Sequence, residues 1–245
     1  MKRGVDFIFL ICVFIFTGCN SSSKTIGQKQ TTTNINTPPD SLYPSSDLVV
    51  PYHSDWTKKH YPERIIEFKN NPLNVGDIVF LGNSLTEQAG DWGKRLNNPT
   101  IKNRGIAGDV TYGVLKRLGE IWYYKPTTVF IMIGINDMFN DSLSAAYIAD
   151  NNIKIAGIIH RESPHTKLYV QTILPTSNIK LVAKIKAVND QLKSNASFDT
   201  YTLIDLHSFF ADDNDLIKKE LTNDGVHLSE EGYNLWVSVV REYLK

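Results

Sequence analysis

The order of apolar and polar positions divides the chain into three parts. Phe7 to Phe16 is continuously apolar behind a basic Met1-Lys2-Arg3. Asn20 to about Ser46 is Ser, Thr, Asn, Gln and Pro, with few large apolar side chains. From about Val49 onward, periodic segments begin. Asp55 to Asn70 has helical spacing, with Trp56, His60, Ile65, Ile66 and Phe68 as the apolar side. Five short runs then read as strands: Ile78-Val79-Phe80-Leu81, Thr100 to Asn103, Val129 to Ile133, Leu168 to Ile173 and Tyr201 to Asp205. Runs this apolar on consecutive positions are covered on both faces, which indicates a parallel sheet. Helical stretches separate them at Val110 to Tyr124, Ser142 to Arg161 and Ile179 to Asn195. Ser229 is placed to cap a last helix reaching Leu244, with Leu235, Trp236, Val239, Val240 and Leu244 as its apolar positions. The expected architecture is a three-layer α/β/α domain built on five parallel strands.

The opening segment is not core. A stretch of about ten apolar residues is too short to span a bilayer, which takes about twenty. It runs into Phe16-Thr17-Gly18-Cys19, a pattern that looks like a bacterial lipoprotein signal (residues 1–18), cleaved before Cys19 and lipidated on its thiol. Phe16 departs from the usual leucine, and an ordinary secretory signal is the alternative. Residues 19–48 then read as a lipidated cysteine and a polar tether, because such composition buries too little to offset its ordering entropy. Residues 49–245 are left as the domain. The expected location is the bacterial cell envelope, with the membrane as a partner through lipid on Cys19. Cys12 and Cys19 are the only cysteines, so the mature domain has no thiol for a disulfide, a metal or a nucleophile. Formal net charge is zero, and loss of Lys2, Arg3 and Asp6 leaves it near zero. That excludes an electrostatic footprint for nucleic acid.

Four segments bear chemistry, and the first three follow strands. In Gly82-Asn83-Ser84-Leu85-Thr86, Ser84 is a candidate nucleophile at a helix start; its plain alternative is a helix cap. Thr86 stands where the elbow of α/β-hydrolases needs glycine. In Gly105-Ile106-Ala107-Gly108-Asp109, Gly108 has no side chain to keep its N–H from an oxyanion. In Gly134-Ile135-Asn136-Asp137, Asn136 offers a side-chain amide. In Asp224-Gly225-Val226-His227, His227 suits a general base and Asp224 the group that orients its ring. Ser84 N–H, Gly108 N–H and the Asn136 amide would form an oxyanion hole, each donor worth about 10²–10³-fold in rate. Ligands of open parallel sheets bind at the carboxyl ends of strands, where the first three segments fall.

Taken in order, the four segments resemble the blocks of the SGNH, or GDSL, hydrolase superfamily over about Asp77 to Leu244. The resemblance implies a flavodoxin-like fold, with Ser84, Asp224 and His227 catalytic and Ser84, Gly108 and Asn136 holding the oxyanion. Asn83 replaces the aspartate of the namesake motif. The wording of Asn103 to Thr111 and Met132 to Asp137 is similar to the branch holding sialate O-acetylesterases and platelet-activating-factor acetylhydrolase-like proteins. The expectation is a serine esterase that removes O-acetyl groups from a carbohydrate, sialic acid or a plant polysaccharide, with no cofactor and no metal. Two alternatives stay open: a lysophospholipase or acyl-thioesterase on the same fold, and a glycan-binding lipoprotein without catalysis.

Other residues carry weaker signals. Asp212-Asp213-Asn214-Asp215 lacks the glycine of a calcium loop and reads as a solvated turn. His160 and His165 have no zinc spacing. Trp92, Trp122, Tyr123 and Tyr124 suit helix packing better than a sugar platform, with Trp92 the best exception because it follows Ser84 closely.

Overall fold

The computed structural model describes residues 39–196 and 200–244. The signal segment, Cys19 and most of the tether lie outside the described residues. Among the described residues, five parallel strands form one sheet: β1 (Ile78–Gly82), β2 (Ile101–Gly105), β3 (Thr128–Met132), β4 (Lys167–Gln171) and β5 (Thr202–Ile204), in spatial order β2-β1-β3-β4-β5. The order reverses between β1 and β3, so the crevice for a ligand opens at their carboxyl ends. This is the three-layer α/β/α fold expected from the apolar runs, with each strand within one or two residues of its predicted limits.

Among the described residues, ten α-helices flank the sheet: α1 (Asp55–Asn70), α2 (Ser84–Glu87), α3 (Trp92–Leu96), α4 (Thr111–Leu115), α5 (Gly119–Tyr124), α6 (Ile135–Met138), α7 (Ala145–Glu162), α8 (Val182–Asn195), α9 (His207–Phe210) and α10 (Glu230–Arg241). Side chains alternate across the strands, as the pleat requires. Val79, Leu81, Val129, Ile131 and Val170 enter one core with Ile148, Ile155 and Ile185. Phe80, Phe130 and Met132 enter the other with Trp92, Trp236 and Val240. The register pairs Phe80 with Phe130 and Phe130 with Tyr169. Their rings therefore form a row, continued by Trp92 on Phe80 at 4.1 Å and by Tyr243 on Tyr169 at 5.2 Å. Ser229 caps α10 as expected, accepting the Gly232 N–H at 3.1 Å.

Three expectations need correction. The packed domain begins before residue 49: Leu42 and Tyr43 are buried with Tyr61 and Phe68, and the Tyr43 hydroxyl donates to Glu120 at 3.3 Å. The buried stripe of α1 is Thr57, Tyr61, Ile65 and Phe68. Trp56 and Ile66 face solvent, because the side pressed on the domain is the one that brings Tyr61 to the Gly113 carbonyl at 3.0 Å. The stretch from Val110 to Tyr124 is not one helix. It breaks at 116–118, where Arg117 turns inward to three acceptors.

Candidate active site

Each candidate residue is held by the turn that follows its strand. Beyond β1, Asn83 caps α2 by accepting the Leu85 N–H on Oδ1 at 3.0 Å. Its amide oxygen does locally what the aspartate of the namesake motif would do. Ser84 is thus the first residue of α2 and nearly buried. Its N–H belongs to the first turn, whose amides have no acceptor within the helix. Beyond β2, the Asp109 N–H closes a turn onto the Ile106 carbonyl at 3.0 Å. Gly108 sits in the third place of that turn at φ +78°, a left-handed conformation that glycine adopts without strain. Beyond β3, Asn136 donates from Nδ2 to the Asp109 carbonyl at 2.9 Å. That bond uses one of two amide hydrogens and leaves the other for a ligand.

The fourth segment lies between β5 and α10. Asp224 Oδ1 accepts the N–H groups of Val226 at 2.9 Å and His227 at 2.7 Å. Asp224 Oδ2 lies 2.7 Å from His227 Nδ1, and His227 Nε2 lies 3.1 Å from Ser84 Oγ. An ionised carboxylate can only accept, so Nδ1 carries a hydrogen and Nε2 is left to accept from the Ser84 hydroxyl. Burial works against the Asp224 charge. The His227 ring and the two backbone N–H groups outweigh it and hold the carboxyl at about 2. The arrangement therefore keeps an ionised orienting group, a ring nitrogen and a hydroxyl in one line. That line can take the proton from Ser84 as its oxygen attacks a carbonyl.

Beneath this line is a second layer of buried charged groups. Asp109 is fully buried; it accepts from Arg117 Nε at 2.9 Å and lies 3.0 Å from His53 Nε2. Arg117 also donates to the carbonyls of Arg104 at 2.8 Å and Gly82 at 2.9 Å, at the ends of β2 and β1. Asp137, also fully buried, accepts the Thr111 N–H at 3.0 Å and its hydroxyl at 2.6 Å. Burial raises the Asp137 carboxyl to about 6 against the lowering effect of Thr111. Glu87, at the end of α2, accepts the Ala107 N–H and lies 3.0 Å from His60 Nε2. The neighbours of Gly108 are thus fastened to β1, α6 and α2. The only signal in the sequence was that Asp109 and Asp137 directly follow Gly108 and Asn136; nothing marked their burial, nor that of Arg117.

The weaker candidates fall elsewhere. Trp92 is buried between Phe80 and Trp236 and offers no platform. Trp122 and Tyr123 are partly exposed on α5, just before the amino end of β3, at the opposite pole from Ser84. His160 and His165 flank the amino end of β4 at that same pole. Asp212 accepts the N–H groups of Asn214 at 2.8 Å and Leu216 at 3.0 Å, which makes the acidic run a turn.

Comparison with known proteins bears on the family and the fold. Residues 80–235, well over half of the chain, match the GDSL-like Lipase/Acylhydrolase family. A solved structure from Streptococcus pneumonia, provisionally assigned as a platelet activating factor, superposes with a TM-score of 0.68 at 24% identity, covering 78% of this chain and 95% of that one. A GDSL-like lipase from Bacteroides thetaiotaomicron VPI-5482 superposes with a TM-score of 0.65 at 20% identity, covering 77% and 96%. At these identities the likeness concerns the fold. In sequence, the chain is 26% identical over 195 residues to an N-acylneuraminate cytidylyltransferase of Escherichia coli O18:K1:H7 (strain RS218 / NMEC), covering 74% of this chain. The match spans 43% of that protein's length.

Proposed function

The chain belongs to the GDSL-like lipase/acylhydrolase family and is a carboxylic ester hydrolase; from that premise we propose that it is a serine esterase removing O-acetyl groups from a carbohydrate. The observation that carries the catalytic part is the line Asp224–His227–Ser84, with 2.7 and 3.1 Å between the polar atoms. Ser84 Oγ attacks the acetyl carbonyl while His227 Nε2 takes its proton. The Ser84 and Gly108 N–H groups and the free hydrogen of the Asn136 amide receive the developing oxyanion. His227 then returns the proton to the leaving sugar hydroxyl. Water, deprotonated by the same nitrogen, cleaves the acetyl-enzyme and releases acetate. No step calls for a metal.

One observation supports the substrate class. The matched E. coli protein is named for N-acylneuraminate, a sugar acid. The N-terminal segment completes the proposal: the enzyme is exported and tethered to the cell envelope through lipid on Cys19. Cys19→Ser should move the protein from the membrane fraction to the soluble one, and unchanged partition would refute the anchor.

The test of catalysis is p-nitrophenyl acetate hydrolysis by the purified protein beside Ser84→Ala. Loss of several orders of magnitude in kcat is expected for a nucleophile. Equal turnover by both proteins would refute the role of Ser84. Faster hydrolysis of octanoyl than acetyl esters would favour the long-chain reading, and binding of glycans without turnover the non-catalytic one.

A further inference from the structure

We infer that Trp56 is a stacking platform for a pyranose ring beside the oxyanion loop, an inference that rests on reading Ser84 as the nucleophile of a sugar acetylesterase. Trp56 is 58% exposed, although it stands in the first turn of a helix whose Tyr61, Ile65 and Phe68 are buried. An indole left in water serves nothing in the core. Its ring is nevertheless supported from beneath, stacked on His60 with centroids 4.5 Å apart and planes 25° apart. His60 is in turn fixed by Glu87, whose two carboxylate oxygens lie 3.0 and 3.1 Å from Nε2. Glu87 ends the same short helix that Ser84 begins, and it accepts the Ala107 N–H of the oxyanion turn.

The next residue along α1 places the ring further. Thr57 packs directly on Gly108, since a Cβ on Gly108 would collide with the Thr57 side chain. Trp56 therefore neighbours the residue that touches one proposed oxyanion donor, and its support touches the helix of the nucleophile. One indole face is covered by His60 and the other is free. A flat, electron-rich face suits the C–H face of a sugar ring, for the same reason that ring edges pack on ring faces. Lys59 and Glu63 on the same helix are exposed as well. Trp56 lies outside residues 80–235, so the platform belongs to this chain's leading helix and not to the family's matched blocks.

The experiment compares the wild type with Trp56→Ala and Trp56→Phe on three acetates: glucose monoacetate, O-acetylated N-acetylneuraminic acid and ethyl acetate. For the sugar acetate that is hydrolysed, Trp56→Ala should raise KM about tenfold with kcat within about twofold. Trp56→Phe should recover most of the KM, and ethyl acetate should respond to neither change. An unchanged sugar KM in Trp56→Ala overturns the platform and leaves the acetylesterase reading intact. So does an equal loss on ethyl acetate, which would mean that the substitution disturbs the oxyanion turn. Hydrolysis of ethyl acetate with no turnover of either sugar acetate sinks the carbohydrate reading, and the platform with it.

Discussion

Alanine at position 108 should abolish most of the activity while leaving a folded protein. The added Cβ would overlap Thr57 Oγ1 and lie 2.9 Å from its Cγ2 and 3.0 Å from its Cβ. Thr57 has nowhere to retreat: it is 2% exposed, and its Oγ1 lies 2.8 Å from the Ser54 hydroxyl. The alternative is for the turn to move, and the φ of +78° already disfavours any side chain there by about 1–2 kcal/mol. With overpacking added, the loss of stability should be about 2–5 kcal/mol. A displaced Gly108 N–H removes one oxyanion donor, which is worth about 10²–10³ in kcat. The assay is p-nitrophenyl acetate turnover alongside urea unfolding of Gly108→Ala, Thr57→Ala and the double variant. Thr57→Ala removes Oγ1 and Cγ2, so the double variant should be more stable than the two single losses predict, by about 1 kcal/mol or more, and should regain part of kcat. Wild-type kcat in a folded Gly108→Ala would remove Gly108 from the oxyanion hole. Strictly additive stabilities would show that the Thr57 contact is not what drives the change.

The buried charges give two more expectations. Asp137 is raised to about 6 from the ordinary 3.8, so the native state holds this proton more tightly than the unfolded chain. Its ionisation therefore costs stability at neutral pH, by at most about 3 kcal/mol, and the cost fades as pH falls from about 6 to about 4. Asp137→Asn removes that term, so the stability difference between variant and wild type in urea should change by more than about 1 kcal/mol between pH 7 and pH 4.5; the same difference at both values would refute the assignment. Arg117→Met leaves the Asp109 carboxylate buried without its guanidinium and should cost about 3–5 kcal/mol, whereas the double change with Asp109→Asn should cost less than Arg117→Met alone. A double variant less stable than the single one would show that Arg117 matters through the Gly82 and Arg104 carbonyls instead.

The parts legible in the sequence were those in which a chemical or covering requirement restricts residue type. Parallel strands covered on both faces must be apolar at successive positions, and Val129 to Ile133 could hardly be anything else. Esterase chemistry needs a hydroxyl, an imidazole, a carboxylate and close N–H donors, and the geometry brings Ser84, His227 and Asp224 into one line, with Gly108 and Asn136 on the turns after the neighbouring strands. What stayed hidden depends on tertiary partners. Thr57 is buried and Trp56 exposed, the reverse of their hydrophobic ranks, because Thr57 fills the space that Gly108 leaves. Tyr43 sits in a Ser- and Pro-rich stretch that reads as tether, yet it reaches Glu120, 77 residues away. Arg117 breaks a helix that periodicity would have continued, since its three acceptors lie inside the fold.

The row of rings across the sheet has an optical consequence. Trp92 is held between Phe80 and the edge of Trp236, with planes at 13° and 78°, and both indoles are essentially inaccessible to water. Such fixed, asymmetric neighbours give a near-ultraviolet circular dichroism signal that vanishes when packing loosens, even if secondary structure survives. Trp56 has only one stacked face and contributes little to it. The protein thus carries its own reporter of packing: dichroism follows the core around Trp92 and Trp236. A variant that goes silent in turnover with the dichroic band intact has lost chemistry alone.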